Sequence, residues 1–123
     1  MAYVEGFVIP VAVADKDAFV AFSHEIDALF LQHGATRVWE CWGTDLKHGK
    51  QTDFFRAVDA REGETVCFSW IEWPDKQTSE KAHETFSTMM ETDPRFDPET
   101  NPVPFDGKRM IFGGFEPVVT LGE

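Results

Sequence analysis

Twice this chain sets a carboxylate between tryptophans, as Trp39-Glu40-Cys41-Trp42 and again as Trp70-Ile71-Glu72-Trp73. Apolar surroundings disfavour the charged form of a glutamate and raise its pKa, which suits it to moving a proton. Indole rings beside it offer a flat floor for a small apolar or aromatic molecule. By strand alternation Glu40 shares a face with Trp42, and Glu72 shares one with Trp70, while Trp39, Cys41 and Trp73 fall on the other faces. One expectation is therefore a pocket floored by Trp42 and Trp70, with Glu40 or Glu72 as proton acceptor. The commoner use of an inward charge on an edge strand is to discourage edge-to-edge pairing, with an arginine such as Arg37 or Arg109 as its partner.

The histidines divide by context. His24 falls away from the apolar stripe of its helix, His33 sits in a last turn where a positive charge suits the helix dipole, and His48 lies in a glycine-flanked loop. His83 neighbours Phe86 and Met90 at helical spacing, so it borders the face that packs on the sheet and can anchor a polar group there. A hydrogen-bonded structural histidine is the plainer reading of the same position. The catalytic candidates are thus Glu40, Glu72 and His83, and the ligand-binding candidates are Trp42 and Trp70, with Trp73 as second choice.

Other chemistries find no support. There is no HExxH, no paired His-Cys cluster, no glycine-rich phosphate loop and no GxSxG elbow, so neither a metal nor a cofactor is expected. Cys41 and Cys67 lie inside apparent strands and read as buried free thiols, not as a disulfide framework. With 22 acidic against 11 basic residues and a formal charge of -11, the chain would be repelled by nucleic acid and by an anionic membrane. The opening MAYVEGFVIP alternates like a strand and does not read as a leader, and no apolar run is long enough to span a membrane, so a cytoplasmic protein is expected.

The elements that must position these residues follow from periodicity. At 123 residues the length suits one domain, 1–123, and 12 Phe with 4 Trp give it ample apolar material for a core. Residues 3–12 read as a strand, with Pro10 marking its end or a free edge. From Asp15, placed to cap, the positions Phe19, Phe22, Ile26, Leu29, Phe30 and His33 recur at helical steps until Gly34. Residues 35–43 return to strand composition, 54–60 fit either a strand or a helical turn, and 64–73 form the clearest strand. Pro74 and Asp75 open a second long helix carrying Ala82, Phe86, Met89 and Met90. A proline-rich loop with room for one helical turn precedes a last strand near 109–119.

The order β-α-β-β-α-β is that of an α+β, ferredoxin-like fold, a four-stranded antiparallel sheet with both long helices on one face. In the strand 64–73, Val66, Phe68 and Trp70 alternate with Cys67, Ile71 and Trp73, so both faces are apolar. An antiparallel sheet with one wet face should alternate apolar and polar, which calls for a second cover. A second copy, packed sheet to sheet in a symmetric homodimer, supplies it.

Several stretches together, YVEGFVIPV, VWECWGTD, TDFFRAV, GETVCFSWIEWPDK and above all PFDGKRMIFGGFEPVV, resemble the YbaA-like family of small bacterial proteins of unknown function. The resemblance implies a ferredoxin-like protomer in a dimeric α/β-barrel, and it implies no activity. The wider dimeric α/β-barrel superfamily includes cofactor-independent monooxygenases and haem-degrading monooxygenases. Trp73 with His83 is similar to a tryptophan and histidine pair of the haem-degrading members, but this chain has Tyr3, Glu5 and Gly6 where those carry an asparagine. The expectation is a homodimer binding a small apolar or aromatic molecule between sheet and helices. The alternatives are a cofactor-independent monooxygenase-like enzyme on an aromatic substrate, and a non-catalytic regulatory or structural dimer using residues 92–104 as a protein-binding loop.

Overall fold

The computed structural model of the protein describes residues 2–122. Four stranded segments of period two become β1 (Tyr3–Ala12), β2 (Arg37–Trp42), β3 (Glu64–Trp73) and β4 (Ile111–Phe115). Three helices, α1 (Lys16–Gln32), α2 (Phe54–Ala57) and α3 (Lys76–Thr92), lie between them in the chain. The sheet runs β2-β3-β1-β4 and every neighbouring pair is antiparallel. This is the ferredoxin-like α+β order expected from the alternation of elements.

Local chemistry sets the ends of the helices. Asp75 accepts a hydrogen bond from the Thr78 backbone N–H at 2.7 Å and so caps α3. Asp53 does the same for Arg56 at 2.8 Å, which resolves residues 54–57 as a short helix. Asp15 stands at the start of α1 without a side-chain capping bond, because the turn Val13–Asp15 leads the chain in instead. Gly34, with φ at +108°, ends α1 in the left-handed region, and a Cβ there would also meet Thr78 at 2.6 Å.

Pro10 does not end its strand. It pairs opposite Val66 within β1, and it is tolerated because β4 reaches only from Val4 to Val8, leaving β1 a free edge beyond. The proline-rich loop holds one helical turn, Pro94–Phe96, and then packs Phe105 edge-on against Phe19 and Phe22 of α1. Arg109 ties its end down, with two bonds of 2.7 Å to Glu64 and one of 3.0 Å to Asp106. Arg109 is therefore committed to Glu64, and Arg37 lies over the Trp39 ring at 4.8 Å.

The odd residues of β1 and β3 face the helices. Ile71 and Trp73 pack with Leu29, Ala82 and Phe86, while Ile9, Val11 and Cys67 pack with Phe19. On the other face Val4, Val8, Phe68, Trp70, Ile111 and Phe115 line a trough of about 760 Å³. Phe68 keeps 46% of its surface exposed and Phe115 keeps 60%. Among the described residues no helix is long and apolar enough to cross a membrane.

Candidate functional site

The register between β2 and β3 separates the two tryptophan-glutamate segments. Trp39 lies opposite Trp70 and Glu40 lies opposite Ser69. Trp70 therefore stacks on Trp39, with ring centroids 5.4 Å apart, on the open face. Trp42 lies opposite Cys67 on the helix side, where its ring packs 6.0 Å from Phe19. The shared floor of Trp42 and Trp70 does not form, because this register sets even-numbered residues of β2 opposite odd-numbered residues of β3, which sends Trp42 and Trp70 to opposite faces. Glu40 and Glu72 are parted the same way. Glu72 accepts from Trp70 Nε1 at 3.0 Å on the open face.

Glu40 belongs to a cavity between α1 and the sheet. The inner part, about 120 Å³, is walled by rings including Phe7, Phe19, Phe22, Phe30 and Phe105. It adjoins an open cleft of about 490 Å³ bounded by Val20, His24, Leu31 and Trp42. Ser23, Asp27, Val38 and Glu40 line both spaces and so mark the mouth between them. Ser23 and Asp27 come from one face of α1, a turn apart, and Glu40 comes from edge strand β2, where its outer side is exposed.

The polar groups at this mouth are crowded together. Ser69 Oγ donates a short hydrogen bond to Glu40. Burial first, and then the hydrogen bond and charge of Glu40, raise the Asp27 carboxyl well above the usual carboxylate range. Two carboxyl groups this close hold a proton between them. Ser23 is only 7% exposed, and it lines both spaces. Cys67 beside them is fully buried, and burial with the charge of Glu40 pushes its thiol up to about 12, so it stays protonated. Cys41, on the open face, is only half-buried, and both thiols are free.

His83 and Trp73 form a separate cluster around Glu5, which interrupts the apolar stripe of β1. Glu5 accepts from Trp73 Nε1 at 2.7 Å and Ser79 Oγ at 3.1 Å, and pairs with His83 Nε2 at 2.9 Å. Burial alone would raise the Glu5 carboxyl, but the His83 bond and charge, helped by Trp73 and Ser79, hold it below its ordinary value. The same bond raises His83 against the opposing effect of burial. Trp73 itself is 1% exposed and packs in the core.

Sequence reasoning missed Ser23, Asp27 and Glu5. The signal for the first two was the run Phe19, Ser23, Ile26, Asp27, Phe30, which places them on the sheet side of α1 at helical spacing. For Glu5 it was a lone charge among Tyr3, Phe7, Ile9 and Val11 in the inward register of β1. Among the described residues no three His, Cys, Asp or Glu side chains gather as a metal ion would require.

Sheet order and one-sided helices define the protein as ferredoxin-like, and its likeness to solved structures is of that kind. It superposes on a dimeric ferredoxin-like protein from an uncultured marine organism with a TM-score of 0.55 and 8% identity. It also superposes on SnoaB, a cofactor-independent oxygenase from Streptomyces nogalater, with a TM-score of 0.54 and 16% identity. Both alignments cover 100% of each chain. The chain belongs to the DUF1428 family of proteins of unknown function, which it matches over residues 2–107. It is 45% identical over 119 residues to the uncharacterized protein YbaA of Escherichia coli strain K12, covering 97% of this chain and 98% of that one. The YbaA of Shigella flexneri is similar to the same extent.

Proposed function

We propose that this protein is a homodimer that binds a small apolar or aromatic molecule in the cavity between α1 and the sheet. The observation that carries the reading is a ring-walled space with a few convergent polar groups at its mouth, the usual anatomy of a small-molecule site. Of the residues singled out in the sequence, Glu40 and Trp42 serve this site, as polar mouth and cleft wall. Trp70 and Glu72 serve the open sheet face, which a second copy covers, and His83 and Trp73 serve the Glu5 cluster. The free thiols fit a reducing, cytoplasmic setting.

A titration of backbone amide shifts with 2-phenylethanol, a neutral one-ring probe, tests the site. The expected result is saturable shifts at Ser23, Ile26 and Ser69, abolished by the cavity-filling Ser23→Trp. Shifts confined to the open face, or none at millimolar probe, would remove this reading.

The Asp27 and Glu40 pair favours a second reading. A monooxygenase-like enzyme without a cofactor needs a base to start a substrate that forms its own carbanion, and a carboxylate at the mouth of an aromatic cavity is suited to that. Oxygen uptake with activated phenols, lost in Glu40→Gln, is its signature, and no uptake sinks it.

A further inference from the structure

The polar mouth of the cavity is made of acceptors. Asp27 and Glu40 bring carboxyl oxygens, and the largely buried Ser23 brings a hydroxyl. No lysine or arginine lines either the cavity or the cleft. His24 is the one basic side chain on the cleft wall, and Lys16 is engaged over the Trp42 ring at 5.5 Å. An anionic ligand would meet carboxyl groups with no counter-charge, and a purely apolar one would leave the polar mouth unused.

Resting on the small-molecule reading above, we propose that the ligand is an aromatic amine in its ammonium form, its ring in the phenylalanine-walled cavity and its charged head among Ser23, Asp27 and Glu40. An ammonium has three N–H donors and no acceptor, and the mouth offers three side chains that accept. Aromatic walls add the attraction of ring faces for a cation, which strengthens where water is excluded. The proton that Asp27 retains reflects its burial first and then Glu40 beside it, and a bound ammonium supplies the counter-ion that this buried pair lacks. The protein's formal charge of -11 further favours the approach of a cation over that of an anion.

Three probes with one skeleton test this: phenethylamine, 2-phenylethanol and phenylacetate, titrated calorimetrically into the full chain at neutral pH. The amine is expected to bind at least ~10-fold more tightly than the alcohol, with the acid weakest, because only the amine brings a cation to the carboxyls. Glu40→Gln should erase most of the amine's advantage over the alcohol, since the charged interaction is removed. If the alcohol matches the amine, or the acid binds best, the ammonium assignment falls and the cavity reading stands. If none of the three binds, both fall. The comparison among probes needs no variant, so a failure of Glu40→Gln to fold leaves the test intact.

Discussion

Asp27 is the residue at which burial and charge most openly conflict. Its carboxyl is raised in the folded protein, first by burial and then by Glu40, so the folded state holds a proton that the unfolded chain releases above about pH 4. A raised acid contributes its full stability only below the unfolded value, and stability falls as pH rises toward the folded one. Asp27→Asn keeps a donor toward Glu40 and removes the titration. The variant should therefore melt close to wild type at pH 5 and higher than it at pH 8, by roughly 5 °C for a gain of about 1–2 kcal/mol. Parallel melting curves of the two proteins across that range would show that the two carboxyls do not share a proton.

At the scale of elements, Glu5 and His83 fasten the central strand β1 to α3. Trp73 Nε1 and Ser79 Oγ bind the same carboxylate, so strand, neighbouring strand and helix meet at one point. With Glu5 held low and His83 held high, the pair is charged in the window between them. Its contribution fades as pH falls through the lowered Glu5 value, and again as pH rises through the raised His83 value. Because His83 is half-exposed, solvent screening limits the pair to about 1 kcal/mol. His83→Ala should lower hydrogen-exchange protection in the first turns of α3 near neutral pH, and the deficit should shrink on either side of the window. An unchanged exchange profile would mean that apolar packing alone holds this helix.

For the whole molecule, the open face is the dominant unsolved burden. Trp39, Phe68, Ile111 and Phe115 stay substantially exposed there, and beyond β4 Val118, Val119 and Leu121 are exposed as well. A contiguous apolar face of this kind marks an association surface, and the proposed homodimer would cover it with a symmetric second copy. Phe68→Glu, at the centre of β3, should convert a dimer into a monomer in sedimentation without loss of secondary structure. A wild-type monomer at tens of micromolar, or a Phe68→Glu protein that still dimerises, would rule out pairing through this face.

The sequence by itself determined the elements and their order. Periods of two and of three to four are imposed on each segment by its own backbone, and the caps at Asp75 and Asp53 act within a turn. It also determined that β3 is apolar on both sides, since alternation is a local property. Tertiary structure alone decided which residues share a site. The register between β2 and β3 is a relation between distant segments, and by setting even residues of one opposite odd residues of the other it split Trp42 from Trp70 and Glu40 from Glu72. In the same way Asp27 meets Glu40 only because α1 lies across β2, and Glu5 meets His83 across most of the chain's length. Side-chain chemistry can be read from a segment, but the partner that shifts a pKa is supplied by packing between segments.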